Sequence, residues 1–383
     1  MTNSAKERLH HLDGIRGIAA LGVVIGHSNW PNHIRYMGFQ SSFLWVDFFF
    51  VLSGFVIAYN YQARLGSGFG VGNYMARRLA RIYPAHFAML ILLLGYELLK
   101  YATQGSVGIA AEHAAFENNN LETFFASLAL VQAMGLYEGS NWNGPSWSIS
   151  TEVWTYLLFG MIFVWLRRSR RWIAGCTLAV IALSYGVILI NPNRDYLSVE
   201  ADFGFFRCLI GFGLGVLCFN AWLTRQGRSA GSGVQAMQWL LMAAAFAAVA
   251  LPLYRSPLTL AAPLLFAALV YLLAIYRRGA LERVLLIRPI QFLGTISYSL
   301  YISHAFVRRF ATTAHKVVAP KLSGVMTPEQ VGDILTLAYI PAAICFGWLL
   351  WRFVETPANA WLVARLGRKR QDPEKTGPAD AAF

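Results

Sequence analysis

Ten stretches of about twenty mostly apolar residues recur along the chain, and no other feature limits its folding as strongly. They fall at 12–30, 43–63, 83–103, 147–166, 172–190, 203–223, 236–254, 258–276, 290–311 and 333–354. A helix rises about 1.5 Å per residue, so roughly 20 residues cross the ~30 Å of bilayer hydrocarbon. Within that layer every backbone N–H and C=O must be bonded inside the protein, and a helix meets that demand segment by segment. The expected fold class is therefore all-α: a polytopic integral membrane protein with about ten transmembrane helices. Composition agrees, since 56% of the 383 residues are hydrophobic and 13% charged, against about a quarter charged in an ordinary soluble domain.

A weaker apolar run at 121–136 holds Glu122 and Gln132. Without it, the segments on one side of the membrane (1–16, 64–82, 167–171, 224–235, 277–289 and 363–383) carry 22 Lys and Arg, and those on the other side carry 8. Basic segments stay in the cytoplasm, which places both termini there. Counting the run as a span would export either Arg77, Arg78 and Arg81 or the cluster Arg167, Arg168, Arg170 and Arg171. It is expected instead as an interfacial or re-entrant helix on the outer side. Short loops imply one transmembrane domain over 1–362, and the polar end of the chain implies a disordered basic cytoplasmic tail over 363–383.

The net charge of +13 sits at cytoplasmic helix ends, where membrane orientation alone puts it, so no nucleic-acid partner is expected. Cys176, Cys208, Cys218 and Cys345 lie inside spans without CxxC or metal-ligand spacing. They read as small core residues, with no disulfide and no metal. The N-terminal segment shows no cleavable signal, and the first span is expected to be retained.

Ionisable side chains at membrane depth are costly and mark functional sites by default. Here they are Asp13, Arg16 and His27 in the first span, Asp47 in the second, His86 and Glu97 in the third, Glu152 in the fourth, Arg207 in the sixth and His304 in the ninth. Tracking depth from the span ends puts His27, Asp47, Glu152, Arg207 and His304 in the outer half, where they are able to form one cluster. Arg16, His86 and the Arg77, Arg78, Arg81 group fall at the cytoplasmic mouth. Arg16 and His27 are eleven residues apart, a rise of about 16 Å, and eleven steps of about 100° return to nearly the same helix face. On these grounds alone the favoured reading of Arg16 is an interfacial anchor that snorkels, with His27 a hydrogen-bonded core residue.

Six segments then carry a resemblance. LDGIRGIAALGVVIGH (12–27), DFFFVLSGFVI (47–57), RRLARIYPAH (77–86), PSWSISTEVWTY (145–156), FRCLIGFGLGVL (206–217) and ISYSLYISH (296–304) resemble, in order, the motifs of the acyltransferase family 3 membrane proteins, enzymes that O-acylate sugars and other hydroxyl acceptors. The resemblance covers roughly residues 9 to 357. It implies a ten-span fold in a bacterial inner membrane, with acetyl-CoA or another acyl-CoA as donor on the cytoplasmic side. It also implies a glycan or lipid-linked saccharide as acceptor on the far side. Arg16 and His27 match the family's basic residue and histidine, Arg78 and Arg81 its R-x-x-R, Glu152 its acidic residue after PSWS, and Glu355 and Pro357 its closing E-x-P, read here as a helix terminus. Many family polysaccharide acetylases carry a further extracytoplasmic domain, whereas this chain stops about thirty residues after its last span. It is expected to act alone or with a separate partner, and a homo-oligomer is compatible with the sequence.

Acyl transfer from a thioester to a hydroxyl needs a base for the hydroxyl proton and donors for the oxyanion. His27 is the expected base, with Glu152 or Asp47 as the carboxylate that orients it, and His304 is the second candidate. Arg16, Arg77, Arg78 and Arg81 are expected to hold the donor's phosphates. Arg207, Trp142 and Trp147 are expected on the acceptor side, the tryptophans with Trp154 as a sugar-stacking platform or as interfacial belt residues. Ser53, Ser146, Ser148 and Ser150 lack a G-x-S-x-G frame and read as packing or capping hydroxyls. A transporter or exporter of a polar substrate, or an assembly subunit without chemistry, would present the same apolar spans.

Overall fold

The computed structural model describes residues 9–103, 114–137, 142–167, 169–225, 233–276 and 279–368. Its elements in chain order are α1 (His10–Gly26), α2 (His33–Gly38), α3 (Trp45–Ile57), α4 (Ala63–Leu65), α5 (Val71–Thr103), α6 (Leu121–Leu128), α7 (Ser146–Trp165) and α8 (Arg170–Leu189). There follow α9 (Gly204–Leu223), α10 (Gly233–Ala250), α11 (Ala262–Ile275), α12 (Ala280–Leu285), α13 (Arg288–Lys321), α14 (Pro328–Leu350) and α15 (Thr356–Arg368). The described residues contain no strand, and every expected span coincides with a helix.

Eight helical stretches among the described residues are long and apolar enough to cross a membrane. The first and ninth expected spans form helices that fall short of that standard. α1 has 17 residues and stops at Gly26, where the first span was expected to run to 30; the His27 backbone N–H caps it on the Val23 and Val24 carbonyls. α13 has 34 residues but too polar a composition. The reason is packing: α1 and α13 lie against each other, so their surfaces meet protein more than lipid. A side chain at Gly17 would collide with the Gly294 backbone, and one at Gly294 with the Asp13 carbonyl. Only glycine permits that approach. Gly54 and Gly215 do the same for α3 and α9.

Two π-helical turns carry helices past their expected ends. Ala58–Gln62 joins α3 to α4, and Trp351–Glu355 joins α14 to α15. Residues 363–368 of the expected disordered tail are thus the end of a helix, and 369–383 lie outside the described residues, as does Arg168. α5 begins at Val71, twelve residues before the expected span, so that Arg77, Arg78 and Arg81 stand on it.

The 121–136 run folds back against α5 and α7 and forms no span. α6 has eight residues, a rise of about 12 Å, too little to cross. At its entry the Asn119 side-chain amide donates to Glu97 on α5 (2.8 Å). At its far end the Tyr83 hydroxyl donates to the Leu128 carbonyl (2.9 Å), and His86 bonds the Ser127 carbonyl (2.9 Å). Glu97 and His86 are eleven residues apart on α5, about 16 Å along its axis. The segment therefore descends beside α5, and at its tip the Leu130 carbonyl accepts Ser150 Oγ (2.8 Å) and Trp154 Nε1 (2.9 Å) of α7. His86, expected at the mouth with the arginines, supports this segment instead.

Candidate functional site

Helices α1, α3, α5, α7 and α13 enclose a cavity of about 150 Å³. α3 lines it from Val46 to Ile57, eleven residue steps or roughly 16 Å, which makes it a slot running along the helix axes. One end holds Arg16, Arg78 and Arg81; the other closes at Phe49, Ser148 and Tyr301.

Each guanidinium at the open end is held. Arg16 Nε donates to Ser297 Oγ (2.8 Å) and Nη2 to the Gly294 carbonyl (2.9 Å), with Asp13 one helical turn away at 3.1 Å. Arg81 is ion-paired with Glu355, a fully buried carboxylate that also accepts Ser299 Oγ (2.6 Å). Arg78 Nη2 donates to the Tyr156 hydroxyl (3.1 Å), with its guanidinium 4.8 Å over the Tyr156 ring. Tyr156 in turn donates to Glu152 Oε1 (2.6 Å), and its hydroxyl lies 3.1 Å from Ser53 Oγ. Arg77 is half-buried and does not line the slot.

The histidines stand beyond the closed end. His27 Nδ1 lies 2.8 Å from the Val23 carbonyl, and His304 Nδ1 lies 2.5 Å from that of Tyr301. A carbonyl only accepts, so both Nδ1 atoms carry protons and both Nε2 atoms keep a lone pair. His304 is fully buried and its Nε2 has no partner. Neither imidazole lines the slot. Tyr301 lies between: it lines the cavity, its ring centroid is 5.9 Å from that of His304, and its hydroxyl is held by Ser148 Oγ (2.9 Å) and the Pro145 carbonyl (3.2 Å).

The five polar residues expected in one outer cluster thus fall into three groups. His27 and His304 pair, and Glu152 belongs to the arginine slot. Asp47 and Arg207 form a fork, Nε to Oδ1 at 2.9 Å and Nη2 to Oδ2 at 2.8 Å, both residues fully buried. Arg207 also donates to the Val199 and Phe43 carbonyls, so its donors are engaged within the protein and it joins α3 to α9. Trp147 is buried between Arg207 and Phe50. Trp142 is buried too, its Nε1 donating to the Asn120 carbonyl and Thr123. Neither tryptophan presents an open face, and the expected stacking platform is not formed. Tyr156 and Tyr301 are slot residues that sequence reading passed over, and Ser53, read there as a packing or capping hydroxyl, also lines the slot. The Glu152 to Tyr156 spacing of four, which stacks two side chains on one helix face, was the available signal for the first.

Fold and site together define an all-α polytopic membrane protein with a polar slot buried among its helices. The chain belongs to the acyltransferase family, whose acyltransferase domain matches residues 9–352. It is 28% identical over 410 aligned positions to the acyltransferase MdmB of Streptomyces mycarofaciens, covering 98% of this chain and 96% of that one. It is 23% identical to the peptidoglycan O-acetyltransferase OatA of Listeria monocytogenes, over 93% of this chain and 56% of OatA. A shorter match, 40% identical over 104 residues, is to protein 2 in the picA locus of Rhizobium radiobacter, covering 26% of this chain and 52% of that protein. The chain thus spans about half the length of the latter two. No solved structure matches it.

Proposed function

We propose that the protein moves an acyl group, most simply acetyl, from acyl-CoA to a hydroxyl of a glycan or lipid-linked saccharide, with His27 as general base. The observation that carries this reading is the slot, which leads from three arginines to a tyrosine with two basic imidazoles behind it. The OatA name, a peptidoglycan O-acetyltransferase, supports an acetyl group and a glycan hydroxyl. The distribution of Lys and Arg supports the inner membrane, with the arginine end of the slot and both termini in the cytoplasm.

At about 150 Å³ the slot is smaller than the roughly 300–1,000 Å³ of pockets for drug-sized ligands. Its size suits the thin acyl-pantetheine end of coenzyme A, which leaves the nucleotide phosphates at the mouth. There Arg78 and Arg81, with Arg16 below and Arg77 beside them, meet phosphate oxygens, which the guanidinium fork fits. Tyr156 and Glu152 hold Arg78, and Glu355 holds Arg81. At the other end Tyr301 turns aside to admit the thioester. His27 Nε2 removes the acceptor's hydroxyl proton as its oxygen attacks the thioester carbonyl. The tetrahedral intermediate then expels the coenzyme A thiolate, which takes the proton back from the imidazolium. The products are an O-acyl ester and free coenzyme A. His304 packs against His27 and fixes its ring. Asp47 and Arg207 hold α3 and α9 in register and take no part in proton transfer.

Release of free thiol from acetyl-CoA by purified protein, together with mass spectrometry of surface glycans with and without the gene, tests this function. Unchanged glycans and no thiol release would overturn it.

A further inference from the structure

The closed end of the slot is a wall of two rings that differ in their freedom. Phe49 of α3 and Tyr301 of α13 both line the cavity and meet edge to face, with centroids 5.7 Å apart and planes at 78°. Tyr301 is held by its hydroxyl, through Ser148 Oγ and the Pro145 carbonyl, two hydrogen bonds that a change of rotamer breaks and remakes. Phe49 is fixed by packing instead. Its ring is wedged between the main core and a second apolar cluster that includes Ala20 and Val24 of α1 and Ile296 and Leu300 of α13. Close packing on both sides resists rotation of the ring, so Phe49 stays in place when Tyr301 turns aside.

Length gives this fixed ring its consequence. An extended chain covers about 3.5 Å per three backbone bonds, so the twelve bonds from the phosphate oxygen to the sulfur of coenzyme A span about 14 Å. The slot is roughly 16 Å long. With the phosphates at its mouth, the sulfur arrives close to Phe49 and only a short acyl group fits ahead of it. The side chains of Ala20, Val24, Ile296 and Leu300, against which the ring packs, are aliphatic. Without the ring they would offer a longer hydrocarbon chain an apolar place to lie.

We propose that Phe49 is the residue that limits the length of the donor's acyl chain, its ring filling the space that a chain longer than acetyl would need. The inference rests on the acyl-CoA reading of the slot and adds to it the class of acyl group carried and the side chain that selects it.

The test is binding of acetyl-CoA, butyryl-CoA and hexanoyl-CoA to the purified protein in nanodiscs, corrected for uptake by empty nanodiscs. The wild type is expected to bind hexanoyl-CoA about tenfold or more weakly than acetyl-CoA, since each methylene without room changes affinity several-fold. Phe49→Ala is expected to raise the affinity for hexanoyl-CoA relative to acetyl-CoA by about tenfold or more, with butyryl-CoA in between. Phe49→Leu keeps more of the site filled, shifts the ratio the same way by less, and serves if the alanine variant is unstable. Equal binding of the three thioesters by the wild type, or an unchanged ratio in the folded variants, overturns the proposal. So does a variant that weakens all three alike, because it has lost packing and not selection. Absence of binding by all three overturns the donor reading and this inference with it, whereas binding without thiol release counts against the transfer step and leaves the ratios decisive.

Discussion

The rings of His27 and His304 meet edge to face, with centroids 4.8 Å apart and planes at 72°. Each imidazole is anchored through Nδ1 to a carbonyl of its own helix, so the contact brings together two rings whose basic nitrogens are both uncommitted. His304 is sealed and His27 half-buried, which makes His27 the one within a substrate's reach.

His27→Ala is therefore expected to lower acyl transfer by about 10² to 10⁴, with acyl-CoA binding and the thermal midpoint close to wild type. His304→Ala, which removes the support and leaves the base, should cost less. Thiol-release kinetics on both variants decide the matter. Near wild-type turnover by His27→Ala would move the base role elsewhere, with His304 next to examine.

At the opposite end of the slot, Arg78→Lys and Arg81→Lys should raise the KM for acyl-CoA, because an ammonium cannot copy the fork that meets phosphate. Tyr156→Phe removes the hydroxyl linking Arg78 to Glu152 and should act in the same direction more weakly. Unchanged donor kinetics in all three variants would reduce these arginines to orientation signals.

Asp47→Ala leaves Arg207 charged and buried without its carboxylate. Removing one partner of a buried pair costs about 3–5 kcal/mol, so the thermal midpoint should fall clearly. Asp47→Leu combined with Arg207→Met should be the milder change, since no uncompensated charge remains. A catalytic Asp47 would instead abolish turnover at unchanged stability, and comparing thermal melts with kinetics separates the two.

A cysteine at exposed Asn118 should react with an impermeant reagent from outside the cell, whereas one at Leu130, 3% exposed, should not. A reporter fused after residue 383 should behave as cytoplasmic. Labelling of Asn118→Cys only from the cytoplasm would contradict the ten-span orientation.

Eight of the helical stretches among the described residues were legible because a helix in lipid must be apolar for about twenty residues; α1 and α13, which fall short of that standard, were marked by weaker apolar runs. Azimuth was not legible. Depth alone grouped Glu152 with the histidines, but a helix also turns each residue toward a particular neighbour, and packing turns Glu152 toward Tyr156 and the arginines. In the same way Asp47 meets Arg207 because glycines let α3 and α9 close together, a relation set by positions about 160 residues apart. The descent of 121–136 depends on Tyr83, His86, Ser150 and Trp154, none of them local to the run.

The glycine contact between α1 and α13 bears on the cell's energetics. Gly17 and Gly294 hold the backbones of the two histidine-bearing helices in contact, which opposes the sliding and rocking by which transporters open alternately to either side. On the proposed route the moving part is a single aromatic side chain, Tyr301, and only the acyl group passes it. On that route the bilayer would keep its electrical insulation through each turnover, and the modification would not draw on the ion gradients that power most export. A measurable ion conductance during acetyl-CoA turnover would be incompatible with that arrangement.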